Sequence, residues 1–459
     1  MRILLLSPPT VSAIKAVIGT TGPPLGLAYL ASMVRESHEV KIIDSLAEDY
    51  TYQDAEREIK KYYPDVVGIT STTSMIPDAY AIAKITKMHN ENTKVVMGGP
   101  HVTFVPEKTF KECPYIDFIV RGEGEITFKE LMDALEKGKS TSRILGLSIN
   151  AGGRAKNNPP RPLIKDIDTI PIPSYDLLPM EKYKLGKVRF GTVMTSRGCP
   201  FDCVFCSSSL QFGKRWRGHS DSRVIEELRI LHEEYKIREI EFLDDTFTLN
   251  RRRAIRIAER IREEGLDISW SASSRVDLFT DDVARAMKAG GCHTVYFGIE
   301  SGSQKTLNFI GKKITPSRAV KAVKKAKKNK LNALGSFVIG FPEETKEDVE
   351  KTIRFSKEVG VDFAQFTIAT PYPGTRLWNY ALAKNLILTF NWRKYTTLDP
   401  VMKLKNFTSE QIKKMLQKAY LSFYLRPRYL LKDIFLRKGF VLKKAISSIV
   451  KLPEFLKSK

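Results

Sequence analysis

The segment Arg197-Gly198-Cys199-Pro200-Phe201-Asp202-Cys203-Val204-Phe205-Cys206 sets three thiols at i, i+4 and i+7. The apolar run at 191–195 reads as a strand, so the thiols fall in the loop at its C-terminal end. Cysteine thiolates are the usual ligands of iron–sulfur clusters, and a compact loop can bring three of them to three corners of a cube. Three ligands leave one iron open, which marks a cluster that binds something rather than one that only carries electrons. A structural zinc would need a fourth ligand, and His219 could supply it only from a distance. Cys113 and Cys292 lack any partner spacing and read as packed, inert thiols.

Downstream of this loop, strand-like runs at 239–243, 268–272, 294–297, 333–339 and 363–368 alternate with basic amphipathic helices. With 191–195 they make six βα units, a partial (β/α)6 barrel whose site should lie at the C-terminal strand ends. Upstream, 3–6, 40–43, 66–70, 94–97 and 118–120 read as strands, and 25–35, 53–63, 77–89 and 126–136 as helices. That alternation is an α/β pattern, a Rossmann-like, doubly wound parallel sheet. Such sheets bind ligands beyond the carboxyl ends of their strands, here 7–26, 44–47, 71–74, 98–103 and 121–125. Between the two series, Pro159, Pro160, Pro162, Pro171, Pro173 and Pro179 mark a small hairpin and a proline-rich connector. The predicted division is a Rossmann-like domain over 1–139, the hairpin and connector over 140–188, the barrel over 189–385, and a basic helical region over 386–459.

A chain of 459 residues, 42% hydrophobic and 10% aromatic, has globular composition and length for two or three cores. The start, a short apolar run ending in Ser7-Pro8-Pro9, suits a buried strand better than a signal peptide. No stretch reaches the roughly 18 uninterrupted apolar residues of a membrane span. The expected location is therefore the cytoplasm, where cysteines grouped three in eight positions serve metal ligation rather than disulfides. The formal charge of +23 attracts polyanions, and residues 401–459 hold fifteen Lys/Arg against three Asp/Glu. Residues 423–457 mix aromatics and aliphatics with cations. This composition suits an interfacial helix on anionic lipid at the membrane's cytoplasmic face, or a helix packed on the barrel with a solvated basic face. Nucleic acid is disfavoured, because the cations lack an aromatic stacking platform.

Cys-x3-Cys-x-Phe-Cys at the end of a first barrel strand resembles the radical S-adenosylmethionine (SAM) superfamily, and the likeness runs through the barrel. Phe205 matches the aromatic whose neighbourhood contacts adenine. Phe242-Leu243-Asp244-Asp245 stands where the family ends its second strand with an acidic motif that receives the SAM amino group. Alone, Asp244 and Asp245 could simply cap a helix. Arg275 is similar to a third-strand polar residue facing SAM. The stretch containing Glu300 and Ser301 looks like the fourth-strand motif near ribose or methionine, and that containing Ile339 and Gly340 like the fifth-strand adenine motif. Pro371-Tyr372-Pro373-Gly374-Thr375 fits the sixth strand end, and Tyr372 and Tyr395 are candidate pocket residues that read better as packing ones.

Further upstream, Gly22-Pro23-Pro24-Leu25-Gly26-Leu27-Ala28-Tyr29-Leu30-Ala31, Gly98-Gly99-Pro100-His101-Val102-Thr103 and Arg121-Gly122-Glu123-Gly124-Glu125 resemble the cobalamin-binding-domain (B12-binding) branch of that superfamily. The resemblance covers about residues 1–385 and implies cobalamin contacts from Gly22, Pro24, Leu25, Thr72, Thr73, Gly98, Gly99, His101 and Glu123. Gly98 and Gly99 permit close backbone approach to a large ligand, and residues 70–74 offer hydroxyls. Many cobalamin proteins place a cobalt-ligating histidine two residues after an aspartate beyond the second strand; here Asp44 is followed by Ser45 and Leu46. His101 is either a substitute ligand or a hydrogen-bonding loop residue.

The resemblance implies a [4Fe-4S] cluster on Cys199, Cys203 and Cys206, with SAM and cobalamin as further cofactors and a ferredoxin or flavodoxin as electron donor. It implies a 5'-deoxyadenosyl radical that abstracts hydrogen from an unactivated carbon, followed by methyl transfer to a hydrophobic, lipid-like substrate. Radical ring formation or other carbon–carbon bond formation on a membrane lipid or pigment is the alternative. A non-catalytic cobalamin or SAM sensor is the third class, though a sensor would not need the three-cysteine loop.

Overall fold

The computed structural model describes residues 1–10, 21–427 and 429. The first sheet holds β1 (Arg2–Ser7), β2 (Glu39–Asp44), β3 (Val66–Thr70), β4 (Lys94–Gly98), β5 (Phe118–Val120), β6 (Leu147–Asn150) and β7 (Ala155–Asn157), in the order β2-β1-β3-β4-β5-β6-β7. Strands β1 to β5 are parallel. In β1, Ile3, Leu4, Leu5 and Leu6 are fully buried, as expected of a central strand with helices on both faces. The strand order reverses around β1 and β3, which opens a crevice at their carboxyl ends. The hairpin β6–β7 pairs antiparallel onto β5, so this sheet runs past residue 139 and takes in the first part of the predicted connector.

The second sheet has the order β16-β15-β14-β13-β12-β9-β8, with β8 (Lys184–Leu185), β9 (Val188–Val193), β12 (Glu239–Phe242), β13 (Ser269–Ser274), β14 (Cys292–Glu300), β15 (Asn332–Ile339) and β16 (Phe363–Ile368). Six of its strands are parallel and β8 is an antiparallel edge, the partial (β/α)6 barrel that the pattern predicts. Phe242, Phe297, Phe337 and Phe366 point from alternate positions into the helix layer and are buried there. A two-stranded ladder, β10 (Ser196–Arg197) with β11 (Arg217–Gly218), brackets the three-thiol loop.

Strand β16 ends the sheet and would expose its backbone groups. The helix Ser409–Tyr424 lies along it, and its tyrosines complete the ladder. The Tyr420 hydroxyl accepts from Phe366 N–H (3.2 Å) and donates to Phe366 O (2.9 Å). Tyr424 does the same at Ala364 (3.1 and 2.8 Å). An edge covered in this way offers no template for pairing with another chain.

The region from 386, expected to be helical, is irregular until the helix Ser409–Tyr424. Its first part packs back on the first domain: Trp392 and Tyr395, with Trp378 of the preceding helix Arg376–Ala383, join the core beneath the first sheet. Trp392 Nε1 donates to Glu112 (2.9 Å), and Arg393 pairs with Asp78 (2.6 Å). Tyr372 donates to Tyr395 O (3.0 Å) within this packing. Apart from Phe423–Pro427 and Tyr429, the predicted interfacial stretch lies outside the described residues.

Candidate active site

The three thiols sit on a loop held by backbone from three directions. Cys199 N–H donates to Gly213 O (3.1 Å), Val204 N–H to Ile310 O (3.0 Å), and Leu377 N–H to Val204 O (2.8 Å). Gly198 turns into the loop at φ +91°, and a Cβ there would stand 2.4 Å from Arg215 O, so only glycine fits. Burial raises the Cys199 and Cys203 thiols, and Cys206 lies close enough to push both further. Lys312 opposes this at Cys203 and Arg275 at both. Two cations thus face a site whose loaded form carries several thiolates. His219, the distant candidate for a fourth ligand, is buried against Asp168 (2.8 Å), and burial lowers its pKa to about 4. Among the described residues no three His, Cys, Asp or Glu side chains close on a single ion. Cys113 and Cys292 are buried and free, and burial pushes Cys113 up to about 11.

At the strand ends around this loop, the structure separates residues that the sequence had grouped. Asp244 is 2% exposed and accepts from Thr195 N–H and Oγ1 (both 2.7 Å) and from Ser196 Oγ. Its carboxylate ties the end of β12 to the segment between β9 and the thiol loop, and these hydrogen bonds occupy it. Asp245, in the turn that follows, lies toward Cys199. Its Oδ2 is buried with no hydrogen-bond partner, and burial raises the carboxyl's pKa against hydrogen bonding from Ser208 and the Gly198 backbone. Ser301 is likewise spent, sharing a hydrogen bond with Thr352 (2.8 Å) and accepting from Ser303 N–H (3.0 Å).

Arg275 pairs with Asp277 (3.0 Å), donates to Lys312 O (2.9 Å), and lies 3.6 Å from the Phe201 ring centre, bracing the thiol loop. Glu300 holds Lys312 at 2.7 Å from a left-handed backbone at φ +65°, a conformation costing roughly 1 kcal/mol or more outside glycine. Phe205 packs on Phe341 at 5.8 Å. Ile339 is fully buried, so only its backbone could meet a ligand. Gly340, at φ +83°, donates to Glu344 (2.7 Å). Burial pushes Glu344 up to about 7, against the hydrogen bonds that it accepts from Phe341 N–H, Thr306 and Gly340 N–H.

A cavity of about 380 Å³ opens where the first sheet meets the thiol loop. From the first domain come Leu25, Gly26, Tyr29, Gly98, Gly99, Gly122 and Gly124; from beside the loop come Met194, Arg197, Ser207, Ser208, Gln211 and Phe212. The glycines create the space. A Cβ at Gly26 or Gly122 would meet nothing within 4 Å, whereas at Gly99 it would strike Ser71 O at 2.3 Å.

Of the residues predicted for cobalamin, Leu25, Gly98, Gly99 and Glu123 line this cavity, while Gly22, Pro24, Thr72, Thr73 and His101 do not. Thr72 is exposed and Thr73 is buried in the turn Thr73–Met75, and Gly22 lies against Thr192. His101 is 1% exposed, with its ring 4.7 Å from Trp392 and both nitrogens without hydrogen-bond partners. The C-terminal segment has claimed it.

Glu123 is engaged rather than free. It accepts from Arg217 (2.8 Å), Arg197 (3.2 Å) and Ile164 N–H (2.9 Å). Arg197 also reaches Glu125 (2.6 Å), and Gln211 Nε2 donates to Gly122 O (3.0 Å). This buried network binds the first domain to the residue two places before Cys199. Arg197, Arg217, Gln211 and Lys312 were missed in the sequence reading, because no spacing announces a partner that is far away in the chain.

Comparison with known proteins agrees with this layout. Residues 11–132 match the B12 binding domain and residues 193–356 the radical SAM superfamily. An uncharacterized methyltransferase of Pyrococcus horikoshii is 70% identical over 452 residues, 98% of each chain. The anaerobic magnesium-protoporphyrin IX monomethyl ester cyclase of Rubrivivax gelatinosus is 28% identical, covering 94% of this chain and 78% of its own. In fold, the chain is similar to the cobalamin-dependent SAM radical enzyme OxsB with aqua-cobalamin and SAM bound, at TM-score 0.76 and 19% identity over 97% of this chain and 71% of that one.

Proposed function

The chain belongs to the cobalamin-binding branch of the radical SAM superfamily, and from that premise we propose that it methylates an unactivated carbon of a hydrophobic substrate. It is an enzyme of a family of cobalamin-dependent radical SAM methyltransferases that also has cyclase relatives, with a [4Fe-4S] cluster, SAM and cobalamin as cofactors. One observation carries the reading. A single cavity has glycine-edged strand ends for one wall and the flank of the three-thiol loop for the other. A flat cofactor lodged by the first domain would therefore face the barrel mouth directly.

The residues present suit all three groups. The cavity takes a broad apolar ring where glycines leave room, the thiol loop offers three sulfur donors and an open corner, and the unpartnered Asp245 Oδ2 suits an ammonium. When bound, the cluster and SAM supply a 5'-deoxyadenosyl radical and cobalamin supplies the methyl group. In this reading Cys199, Cys203 and Cys206 hold the cluster, Asp245 receives the SAM amino group, and Phe205 with the backbone at Ile339 and Gly340 flanks the adenine. Glu300, fixed by Lys312, borders the ribose or methionine portion. Leu25, Gly98 and Gly99 contact cobalamin, while the Arg197–Glu123–Glu125 network keeps the two cofactor beds in register. Residues 1–157 form the cobalamin domain, and the sheet from Lys184 to Ile368 forms the barrel.

The first electron comes from an external donor, a ferredoxin or flavodoxin. The similarity to the Rubrivivax magnesium-protoporphyrin IX monomethyl ester cyclase supports an apolar, pigment-like substrate, and it favours ring closure as the second reading. Among the described residues no helix is long and apolar enough to cross a membrane.

The test is anaerobic reconstitution with iron, sulfide and hydroxocobalamin, then SAM and reductant, with cluster, corrin and nucleosides quantified together. Methylation yields S-adenosylhomocysteine beside 5'-deoxyadenosine, and both disappear in Cys203→Ala. 5'-Deoxyadenosine alone would favour ring formation, and a protein that never cleaves SAM would overturn the reading.

A further inference from the structure

The concave face of the barrel sheet carries a row of polar groups that nothing above uses. Thr192 on β9, Glu241 on β12 and Ser271 on β13 stand side by side in register, and parallel neighbours in register share a face. The opposite face is the phenylalanine layer under the helices. Further up the same face lie Ser273 and Tyr296, and then Ser336, all only partly buried. Tyr296 donates to Ser271 (3.2 Å). Thr192 is 2% exposed, yet its hydroxyl has no partner.

Glu241 is the exceptional member. No ion pair or hydrogen bond engages its carboxylate among the described residues, whereas its neighbour Glu239 is held by His293 (2.7 Å). Burial raises the Glu241 pKa, and Glu239 adds repulsion. A half-buried carboxylate without a partner carries a desolvation cost, and a cation or N–H donor placed on it relieves both penalties. Two residues beyond Thr192 on β9, about 7 Å along the strand, Met194 lines the cofactor cavity. Glu241 lies one residue before the end of β12, and Asp245 follows in the turn after that strand end. The free carboxylate thus lies beneath the barrel mouth, on the face that opens to it.

We propose that this face receives a nitrogen-bearing group of the substrate, an ammonium or N–H donor, on the Glu241 carboxylate, with the Thr192 hydroxyl beside it. The substrate is then an amphiphile with an apolar body and a polar nitrogen, not a bare hydrocarbon. This rests on the reading that the barrel mouth is the reaction site.

The test uses the holoenzyme reconstituted with cluster, cobalamin and SAM, and two matched probes, benzylamine and benzyl alcohol, observed by saturation-transfer NMR. The wild type should prefer the amine, and Glu241→Gln should weaken amine binding about tenfold, the scale of one lost charge-assisted hydrogen bond. Benzyl alcohol should bind both proteins alike, and Glu241→Asp should keep part of the preference. Equal binding of the two probes by the wild type, a comparison that needs no variant, would overturn the proposal. So would an amine preference unchanged in Glu241→Gln. Substrate-free cleavage of SAM to 5'-deoxyadenosine, measured on the same samples, keeps the two failures apart. If the wild type does not cleave SAM, the reaction reading fails. If it cleaves SAM at the rate of Glu241→Gln without preferring the amine, only the substrate inference fails.

Discussion

The two ligand-facing regions of this chain are built by opposite means. In the first sheet the cavity consists of side chains that are missing, at Gly26, Gly98, Gly122 and Gly124, and the charged groups at its edge, Arg197, Glu123 and Glu125, are tied to one another by ion pairs. At the barrel mouth the site consists of side chains that are present: three thiols, the free oxygen of Asp245 and the paired cations around them. A broad apolar ring needs room and little else, whereas a cluster and an ammonium need specific donors. The two regions should therefore fail differently when changed.

The largest expected effect is at the barrel mouth. Cys203→Ser should abolish the iron–sulfur absorbance and all SAM cleavage, while corrin uptake, read by the visible spectrum, stays near wild type. Loss of both together would mean that the regions do not load independently. The converse change is Gly26→Leu, which fills the cavity from a helix position where a Cβ has open space. Corrin affinity should fall at least tenfold with the cluster intact. The thermal midpoint should hold or rise, since glycine costs a helix about 1 kcal/mol relative to alanine.

Arg197→Met tests the joint between them. It leaves Glu125 and part of Glu123 buried without their cation, which should cost on the order of 3 kcal/mol in denaturant unfolding. An unchanged midpoint would show that the two domains do not depend on this network. Asp244 and Asp245 sharpen the contrast within one strand end. Asp244→Asn should lower stability by about 2 kcal/mol, since it disturbs a buried acceptor of three hydrogen bonds. Asp245→Asn should leave stability alone and weaken SAM binding in equilibrium dialysis. The reverse pattern would exchange their roles.

The smallest effect near neutrality is a pH dependence in the first domain. Burial lowers the His101 pKa to about 3, so the folded state holds a neutral ring that the unfolded chain protonates below about 6.5. The unfolded state then binds more protons. Stability is intact above pH 6.5 and falls by up to about 1.4 kcal/mol per unit as pH drops toward 3. His101→Leu should flatten that slope in urea midpoints measured between pH 7 and 5.

Most of the fold was legible because its signals are local. The expected run at 66–70 is β3, 118–120 is β5 and 363–368 is β16, each residue for residue. Apolar runs of strand length between amphipathic stretches admit little else. The thiol loop was legible for the same reason, since the identity and spacing of its donors lie within ten residues. The C-terminal region was less so. Trp392 and Tyr395 carry no periodicity, and their destination beneath the first sheet depends on a surface made some three hundred residues earlier.

By itself, then, the sequence determined the two βα series, the three sulfur donors and the glycine strings, all properties of neighbours along the chain. Tertiary structure alone decided that Asp245 Oδ2 and not the Asp244 carboxylate is left unpartnered, that Arg217 and Trp392 engage Glu123 and His101, and that Glu241 has no partner among the described residues. The physical reason is that a side chain's chemistry is intrinsic, but its availability depends on whether a distant residue has already satisfied it.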